Sequence, residues 1–288
     1  MSKHAFLIMA HSEFGLLKKL IQALDDPRNE IFVHIDKNSK DFEINQFINL
    51  TKQSKSDFIK RRKVSWGAYS QIQCEINLLK ESTQTYHQYY HLLSGVDLPI
   101  KPQDKIHAFF DMNKGTEFLS FHHEAMDRKS FLQRIQFYHP LQEWLGHKGP
   151  DTLVYQLNRV LLKCQELLKI NRLQNSKTTY RKGATWFSIT HNFAKHIVAE
   201  EKAIQKKYRW TQCADEIFLH TIAWNSMFRD KIVDNSLRYI DWKRGRPYVF
   251  TQYDFDELVQ SEALFARKFS QEREPEIISE IYQYLKNT

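Results

Sequence analysis

The sequence is poor in glycine and proline. Its eight glycines and seven prolines make up roughly 5% of the chain, against about 12% in average usage. It contains no G-x-G-x-x-G and no G-x-x-x-x-G-K-[ST] pattern, so the common glycine loops that cradle phosphates are absent. If the chain binds a nucleotide, its side chains must do more of the phosphate recognition.

Cysteines and long apolar runs are also scarce. Cys74, Cys164 and Cys213 lie far apart, and an odd number of cysteines without a C-x-x-C motif indicates neither a disulfide framework nor a zinc knuckle. No stretch approaches 18 apolar residues, so no membrane-spanning helix is predicted. The early apolar run over 5–10 is too short for a signal-peptide core. These features predict a cytoplasmic protein.

Positive charge is in excess. The 42 Lys and Arg residues outnumber the 34 Asp and Glu residues, which gives a formal net charge of +8. The one dense basic run covers residues 60–63, and nucleic-acid binding would need basic residues clustered over a face. We therefore expect no nucleic acid as partner. An anionic membrane surface and an anionic substrate such as a sugar nucleotide both fit, and composition alone leaves this choice open.

The first 120 residues alternate strand and helix patterns, which predicts an α/β fold with a mostly parallel central sheet and flanking helices. The predicted strands cover 4–10, 31–35, 58–66, 89–93 and 117–121, and the predicted helices cover 16–24 (capped by Ser12), 42–50, 69–81 and 106–110. Ligands of such sheets bind beyond the carboxyl ends of the strands. The residues that follow these strands are His11, Asp36, Trp66 and 94–97.

The second half of the chain is predicted to be mainly helical. A long amphipathic helix over 152–170 carries its apolar residues on one side: Leu153, Leu157, Val160, Leu161, Cys164, Leu167 and Leu168. Further strands are predicted over 185–190 and 237–240, and further helices over 192–206, 215–224, 254–259, 263–269 and 277–285. Without an obvious linker, we expect one domain over 1–288, with a nucleotide-binding half (about 1–120) and an acceptor-binding, catalytic half (about 121–288) and a helical C-terminal part.

Two acidic pairs are candidates for chemistry. Glu216 precedes the strongly apolar segment IFLHTIAW. Acidic residues are common at helix starts, but partial desolvation there also favours a proton-accepting role. Asp254 and Asp256 resemble the D-x-D pair that holds a divalent cation in many sugar-nucleotide enzymes, although helix capping is the ordinary explanation.

Basic residues near the C-terminus are candidates for diphosphate binding. Arg244, Arg246, Arg267 and Lys268 lie close in sequence to several aromatic residues. Surface charge is the ordinary explanation for such residues. As a set they would also neutralise a diphosphate without a metal ion or a glycine loop.

Seven segments, in this order and spacing, resemble the core-2/I-branching β-1,6-N-acetylglucosaminyltransferase and peptide O-xylosyltransferase family, glycosyltransferase family 14. The segments are FLIMAHSEFGLLKKLIQAL, IFVHIDKNS, VSWGAYSQIQCEINLL, YYHLLSGVDLPIKP, KGATWFSITHNFAKHIV, CADEIFLHTI and ALFARKF. The resemblance runs over about residues 4–269. It implies a GT-A-like nucleotide-sugar fold and inverting transfer of GlcNAc or xylose from a UDP-sugar to a hydroxyl of a glycan acceptor, without a metal ion or other required cofactor.

The resemblance also implies roles for individual residues. Glu216 matches the family's catalytic base, and Lys268 matches a lysine that contacts the diphosphate. The corresponding arginine is Arg246, with Arg244 as its rival. Asp36 matches a residue near the uridine. His11 and Trp66 match the lining of the nucleotide pocket, and Arg134, Tyr239 and Trp242 fall in the acceptor region.

The chain departs from animal members of that family, which carry a membrane anchor, a stem and many disulfide cysteines. It therefore resembles a bacterial cytoplasmic form. The expected acceptor is a growing surface polysaccharide or a lipid-linked oligosaccharide. Residues 60–63 would provide peripheral contact with the inner face of an anionic membrane. Two alternatives stay open: a non-catalytic nucleotide- or carbohydrate-binding protein on the same fold, and a metal-dependent transferase that uses Asp97 or the pair Asp254 and Asp256.

Overall fold

A seven-stranded sheet, in the order β3-β2-β1-β4-β7-β6-β8, lies at the centre of the protein. The computed structural model describes residues 3–122, 128–245 and 247–287. Strand β7 runs antiparallel to both of its neighbours, and the other neighbouring pairs are parallel. A smaller sheet has the order β5-β10-β9. The strands are β1 (His4–Ala10), β2 (Asn29–Ile35), β3 (Lys55–Phe58), β4 (Tyr89–Ser94), β5 (Leu98–Pro99), β6 (Glu117–Phe121), β7 (Gly183–Thr190), β8 (Ile232–Asp234), β9 (Arg238–Ile240) and β10 (Phe265–Arg267).

Helices cover both faces of the large sheet. They are α1 (Phe14–Ala23), α2 (Tyr69–Ser82), α3 (Gln103–Met112), α4 (Arg128–Gln136), α5 (Gln142–Leu145), α6 (Leu153–Leu167), α7 (His191–Ala199), α8 (Glu201–Tyr208), α9 (Phe218–Trp224), α10 (Phe255–Gln260) and α11 (Pro275–Asn287). Short 3-10 turns cover Ile44–Phe47, Ala214–Glu216, Arg229–Lys231 and Gln252–Asp254. No helix within the described ranges is both long enough and apolar enough to cross a lipid bilayer.

Strand β1 shows why the core has two layers. Successive side chains of a strand point to opposite faces of the sheet. Phe6 and Ile8 therefore pack into one hydrophobic cluster, and Ala5 and Leu7 pack into the cluster on the other side. All four side chains are fully buried, which explains the nearly continuous apolar run that is typical of parallel strands covered on both faces.

The α/β class and the mostly parallel sheet are confirmed. The predicted strands over 4–10, 31–35, 89–93 and 117–121 lie within β1, β2, β4 and β6, and the predicted helix over 69–81 is α2. Four predictions are wrong in detail. The third strand ends at Phe58 instead of beginning there, residues 42–50 form only a 3-10 turn, residues 263–269 hold β10 instead of a helix, and Ser12 is not the N-cap of α1. The GT-A-like fold and the single domain stay predictions.

The apolar side of α6 does not face the core. Its buried residues are Asn158 and Gln165. Gln165 accepts a hydrogen bond from the backbone N–H of Tyr138 at 2.7 Å and donates one to the carbonyl of Tyr138 at 2.8 Å. Periodicity shows that a helix has an apolar side, but not which side packs against the protein. Here the polar side packs inward and the leucines face outward.

The basic run over 60–63 is not a continuous exposed patch. Arg61 donates hydrogen bonds to the backbone carbonyls of Asp36 and Ser39 and stacks over Phe42. Lys60 and Lys63 are exposed, whereas both arginines of the run are partly buried. Half of the run therefore supports the loop that follows β2.

Candidate active site

A cavity of about 770 Å³ opens at the carboxyl ends of β1, β2 and β4. His11 follows β1 and Asp36 follows β2, and both line the cavity. The backbone holds these strand ends together, since the N–H of Asp36 donates to the carbonyl of Ala10 at 2.9 Å. The edge predicted from strand order is thus the edge that carries the cavity.

Gly95 allows β1 and β4 to approach closely at this edge. A Cβ atom at position 95 would lie 2.7 Å from the Cβ of Ala10, closer than two methyl groups tolerate. The N–H of Gly95 donates to the carbonyl of Met9 at 2.9 Å. The scarce glycines are therefore used where backbones meet and not in a phosphate loop.

Asp36 is held in place within the cavity. Its Oδ1 accepts hydrogen bonds from the backbone N–H groups of Asn38 at 2.9 Å and Val64 at 3.3 Å. Nearby, enclosure by the cavity walls lowers the pKa of His11, the charge of Asp36 opposes this shift, and the charge of Lys268 adds to it. His11 thus lies within electrostatic reach of both an acidic and a basic residue of the cavity.

Trp66 forms part of the cavity lining, at the start of the turn before α2. Its indole stacks on the imidazole of His147, with ring centroids 4.6 Å apart. Its carbonyl accepts a hydrogen bond from Gln142 at 3.1 Å, and the next residue, Gly67, has a positive φ of 67°. Trp66 is 47% exposed, so its ring is available to stack on a planar ligand.

We call Arg267, Lys268 and Arg273 the cationic wall, because all three line the same cavity. The Arg267 guanidinium stacks over Trp186 at 4.0 Å and its Nε lies 3.6 Å from Oδ1 of the buried Asp97. Burial lowers the pKa of Arg267, and Asp97 opposes this. Within the part of the chain that the structure describes, neither Lys268 nor Arg273 forms an ion pair. The wall therefore carries positive charge that the described residues leave unneutralised.

Glu13 fixes the segment that carries the cationic wall. Its carboxylate accepts hydrogen bonds from the hydroxyl of Ser270 at 2.5 Å and the N–H of Gln271 at 3.0 Å. The cations after β10 are thus joined to the loop after β1. The sequence patterns gave no indication of this contact between residues 257 positions apart.

We call Asp215 and Glu216 the carboxylate wall, which faces the same cavity. Glu216 ends the 3-10 turn before α9. Its Oε2 accepts a hydrogen bond from Arg134 Nη1 at 2.9 Å and lies 3.7 Å from Lys182 Nζ. The side chain of Glu216 remains 34% exposed, so the carboxylate is held by two cations and still open to the cavity.

Buried carboxyl groups lie behind Glu216. Burial, and then the neighbouring charge of Glu216, raise the pKa of Asp215 to about 6. Glu75 on α2 is fully buried, and neither of its carboxyl oxygens has a hydrogen-bond partner among the described residues. Burial, followed by the charge of Asp215, raises the pKa of Glu75 well above its usual value. Burial therefore favours the protonated forms of Asp215 and Glu75, which lie behind the exposed carboxylate of Glu216.

The structure brings together most, but not all, of the residues that the sequence singled out. His11, Asp36, Trp66, Glu216, Trp242 and Lys268 all line the cavity. Arg134 contacts Glu216 from behind instead of lining the cavity. The hydroxyl of Tyr239 donates to Glu257, away from the cavity lining. Arg246 lies outside the described residues.

Arg244 does not line the cavity. Its guanidinium pairs with Asp241 at 2.5 Å, Asp254 at 2.5 Å and Glu257 at 3.3 Å, and it stacks over Tyr248. Three carboxylates already neutralise this arginine, so its place as a diphosphate ligand is not supported. Arg267 and Arg273 line the cavity instead. Arg267 belongs to the basic set that the sequence singles out, whereas no sequence pattern points to Arg273.

The candidate metal ligands have other roles. Asp254 accepts hydrogen bonds from the N–H and hydroxyl of Thr251 as part of a capping box. Asp97 accepts hydrogen bonds from the N–H and hydroxyl of Ser94. The capping explanation for Asp254 is therefore confirmed, and both carboxylates are already engaged within the protein.

Fold and site together define an α/β protein with a cavity at the carboxyl edge of its sheet, lined by both cationic and acidic side chains. A sequence model of the Core-2/I-Branching enzyme family matches residues 4–261. The chain belongs to this family, glycosyltransferase family 14, as the sequence resemblance predicted.

The individual relatives are identical to this chain at only about a fifth to a quarter of the aligned residues. The chain is 22% identical over 302 residues to xylosyltransferase 2 of Rattus norvegicus, covering 95% of this chain and 32% of the relative. It is 23% identical over 309 residues to xylosyltransferase 1 of Homo sapiens, covering 98% and 30%. The chain thus spans about a third of the length of these relatives. A solved structure, mouse xyloside xylosyltransferase 1 in its apo form, has a TM-score of 0.40 and 9% identity over 92% of this chain and 97% of that chain.

Proposed function

We propose that the protein transfers a sugar, GlcNAc or xylose, from a UDP-sugar to a hydroxyl of a glycan acceptor, with inversion at the anomeric carbon. Membership of the glycosyltransferase family supports sugar transfer from a nucleotide sugar. The observation that carries the proposal is that one cavity is lined both by an open carboxylate, Glu216, and by unpaired cations, led by Lys268. Transfer from a nucleotide diphosphate needs both a proton acceptor and positive charge near the leaving group.

Glu216 is the proposed general base. As the acceptor oxygen attacks the anomeric carbon, its proton moves to the Glu216 carboxylate, and the bond between that carbon and the diphosphate oxygen breaks. Arg134 and Lys182 both contact Oε2, so we assign Oε1 to the acceptor proton. Trp242 is 63% exposed and lines the cavity, and an exposed indole suits packing against the apolar face of a sugar ring.

The cationic wall is the proposed diphosphate site. Charge builds on the departing UDP as its bond breaks, and cations placed in advance stabilise that charge. Lys268, Arg267 and Arg273 supply three positive groups on one wall. His11, Asp36 and Trp66 at the strand ends would contact the uridine, where Trp66 offers an exposed ring and Asp36 a fixed carboxylate.

The mechanism we propose uses no metal ion. The support is that Asp97 and Asp254 already accept hydrogen bonds within the protein and face Arg267 and Arg244, respectively. A carboxylate paired with an arginine is a poor candidate for a cation ligand. The cationic wall would supply the charge that a metal ion supplies elsewhere.

Donor hydrolysis provides the test, since it needs no acceptor. Purified protein is incubated with UDP-GlcNAc, UDP-xylose and UDP-glucose in the presence of EDTA, and UDP release is measured over time. We expect slow release from one of the first two donors and none from the Glu216→Gln variant. UDP binding without release over donor and acceptor panels would instead support the non-catalytic alternative, and loss of release in EDTA would support a metal-dependent enzyme. The acceptor class and the cytoplasmic location stay predictions.

A further inference from the structure

The outer face of α6 is an unusual surface. It consists of Leu153, Leu157, Val160, Leu161, Cys164, Leu167 and Leu168, all of them exposed. The six residues other than the cysteine are between 38% and 82% exposed. At 100° per residue these seven positions fall within an arc of about 120°. Single exposed leucines are ordinary, but a contiguous apolar stripe marks an interaction surface.

The orientation of α6 is fixed and not accidental. The inward side carries Asn158 and Gln165, and both the oxygen and the nitrogen of the Gln165 side-chain amide bond to the backbone of Tyr138. A helix that rotated its leucines inward would leave that backbone N–H and carbonyl without these partners. The packing therefore holds the apolar side outward.

Positive charge surrounds this face. Residues 144–177 contain six Lys and Arg residues and two Asp and Glu residues. This short stretch therefore carries half of the chain's net charge of +8. Arg159 and Lys163 are exposed and follow the apolar arc on its free side, and Lys148 and Lys169 are exposed beyond the two ends of the helix. Trp144 on the adjoining α5 is 65% exposed, and tryptophan is enriched where proteins meet the bilayer interface.

We infer that the outer face of α6 binds the surface of an anionic lipid bilayer, with the helix lying in the plane of the interface. A leucine-rich face bordered by Lys, Arg and Trp is the composition of interfacial amphipathic helices. The charge decides between a bilayer and a second copy of this chain. Two copies facing each other would oppose like charges, whereas anionic headgroups attract this set of basic residues.

The bilayer surface lies beside the cavity rim. Gln142 of α5 bonds to the carbonyl of Trp66, and His147 stacks on the Trp66 ring. The same α5–α6 unit thus supports one edge of the proposed donor site and carries the lipid-binding face. Vesicle binding needs neither donor nor turnover, so this inference stands or falls independently of the proposed function.

Flotation of the full chain with vesicles tests the inference. Vesicles of phosphatidylcholine are compared with vesicles that also contain phosphatidylglycerol. We expect the protein to float with the anionic vesicles, and the triple variant Leu153→Ser, Leu157→Ser, Leu167→Ser to bind at least tenfold more weakly. A matched control, Met112→Ser, Met227→Ser, Tyr253→Ser, removes large hydrophobic residues elsewhere, which are 79–88% exposed against 48–82% for the three leucines. It should bind as the parent chain does. Thermal melting of each variant confirms that it is folded.

A charge comparison separates this face from the basic run. Arg159→Glu with Lys163→Glu should weaken binding to anionic vesicles at least tenfold, and Lys60→Glu with Lys63→Glu should change it less than twofold. The inference would be overturned if the leucine variant bound anionic vesicles as well as the parent chain does. It would also be overturned if only the Lys60→Glu, Lys63→Glu pair weakened that binding. A different result would also overturn it: the parent chain forms a dimer in sedimentation, the leucine variant does not, and the parent chain does not bind vesicles. The partner of this face would then be a second copy of the chain.

Discussion

The two walls of the cavity differ in how they are built. The carboxylate wall belongs to a 3-10 turn beside buried helices, and its exposed group, Glu216, is held by Arg134 and Lys182. The cationic wall belongs to the segment that leaves the small sheet after β10, and Lys268 and Arg273 have no ion-pair partner among the described residues. The exposed carboxylate of one wall is paired within the protein, whereas two of the three cations of the other wall have no ion-pair partner among the described residues and are left for a ligand.

This difference indicates a division of labour. A base needs a fixed position relative to the bond that forms, so a carboxylate restrained by two cations suits it. A site for a departing anion needs uncompensated positive charge, so unpaired cations suit it. Variants of the two walls separate these contributions, because the carboxylate wall should affect kcat and the cationic wall should affect UDP affinity.

The largest effect is expected at Glu216. The variant Glu216→Gln keeps the size of the side chain but accepts no proton, so kcat should fall about a thousandfold while UDP affinity stays within twofold. Initial rates and titration calorimetry measure the two quantities. Asp256→Asn serves as the control, because Asp256 is an exposed acid outside the cavity lining. Retained turnover in Glu216→Gln would remove Glu216 as the base.

A smaller effect is expected at Lys268, and it concerns UDP affinity instead of kcat. The variant Lys268→Ala removes an unpaired cation of the wall, so UDP affinity in EDTA should fall roughly 10- to 100-fold, the range for losing one charged hydrogen bond. Calorimetric titration with UDP measures it. Arg244→Ala is the comparison variant, since its guanidinium is already paired with three carboxylates, and it should leave affinity unchanged. If Lys268→Ala and Arg244→Ala lose UDP affinity equally, Arg244 also contributes to UDP binding, and the cationic wall extends beyond Arg267, Lys268 and Arg273.

Arg134 tests whether the carboxylate wall needs its restraint. Arg134→Ala should lower kcat about tenfold, because Glu216 loses its 2.9 Å contact and no longer stays in one position. UDP affinity should not change, and Arg134→Lys should recover part of the rate. If the apparent KM for acceptor rises while kcat and UDP affinity hold, Arg134 has the acceptor-binding role that the sequence resemblance implied.

The smallest effect concerns stability. Glu75 has a pKa well above its usual value in the folded protein because of burial, so the folded state holds a proton that the unfolded chain has lost. Its stability contribution is therefore full below pH about 4 and declines as pH rises above the unfolded value of about 4.3. Asp215, with a pKa of about 6, acts in the same direction. Glu75→Gln cannot ionise, so its Tm advantage over the parent chain should grow between pH 5 and 8, by roughly 2–4 °C for each kcal/mol.

Melting curves across this pH range provide the measurement. A difference in Tm that does not change with pH would show that Glu75 is charged in the folded protein. The cationic wall offers the contrast, since Lys268→Ala should leave the pH dependence of the Tm as it is in the parent chain. The stability cost of acidic burial would then belong to Glu75 and Asp215, the buried carboxyl groups behind Glu216.

The sequence predicted the first half of the fold well. Buried strands such as β1 and β4 consist mainly of apolar and aromatic residues, and helix α2 repeats apolar residues at regular spacing, so local patterns were sufficient. The predictions failed where contacts between residues distant in sequence determine the secondary structure or the orientation of a helix. Residues 263–269 contain a strand because Phe265 and Ala266 pair with β9 and β5. The orientation of α6 depends on Gln165 reaching Tyr138, which no periodicity reveals.

The same limit applies to the site. Glu216 and Lys268 were found through their sequence motifs, and His11 and Asp36 through their positions after strands, and all four line the cavity. Arg244 and Arg267 look alike in sequence, as arginines among aromatic residues. Only the structure shows that three carboxylates neutralise Arg244, whereas Arg267 packs against Trp186 at the cavity. Charge neutralisation by distant residues cannot be seen in a local pattern.

The bond from Glu13 to Ser270 and Gln271 has a consequence for biosynthesis. It joins segments 257 residues apart, so the donor site closes only after residues 270 and 271 have left the ribosome. A nascent chain that already carries β1, β2 and Glu216 still lacks its cationic wall. Pairing over such a separation is slow compared with local helix formation. We therefore expect catalytic competence to appear only after residues 270 and 271 have been synthesised, when most strands of the large sheet are already present.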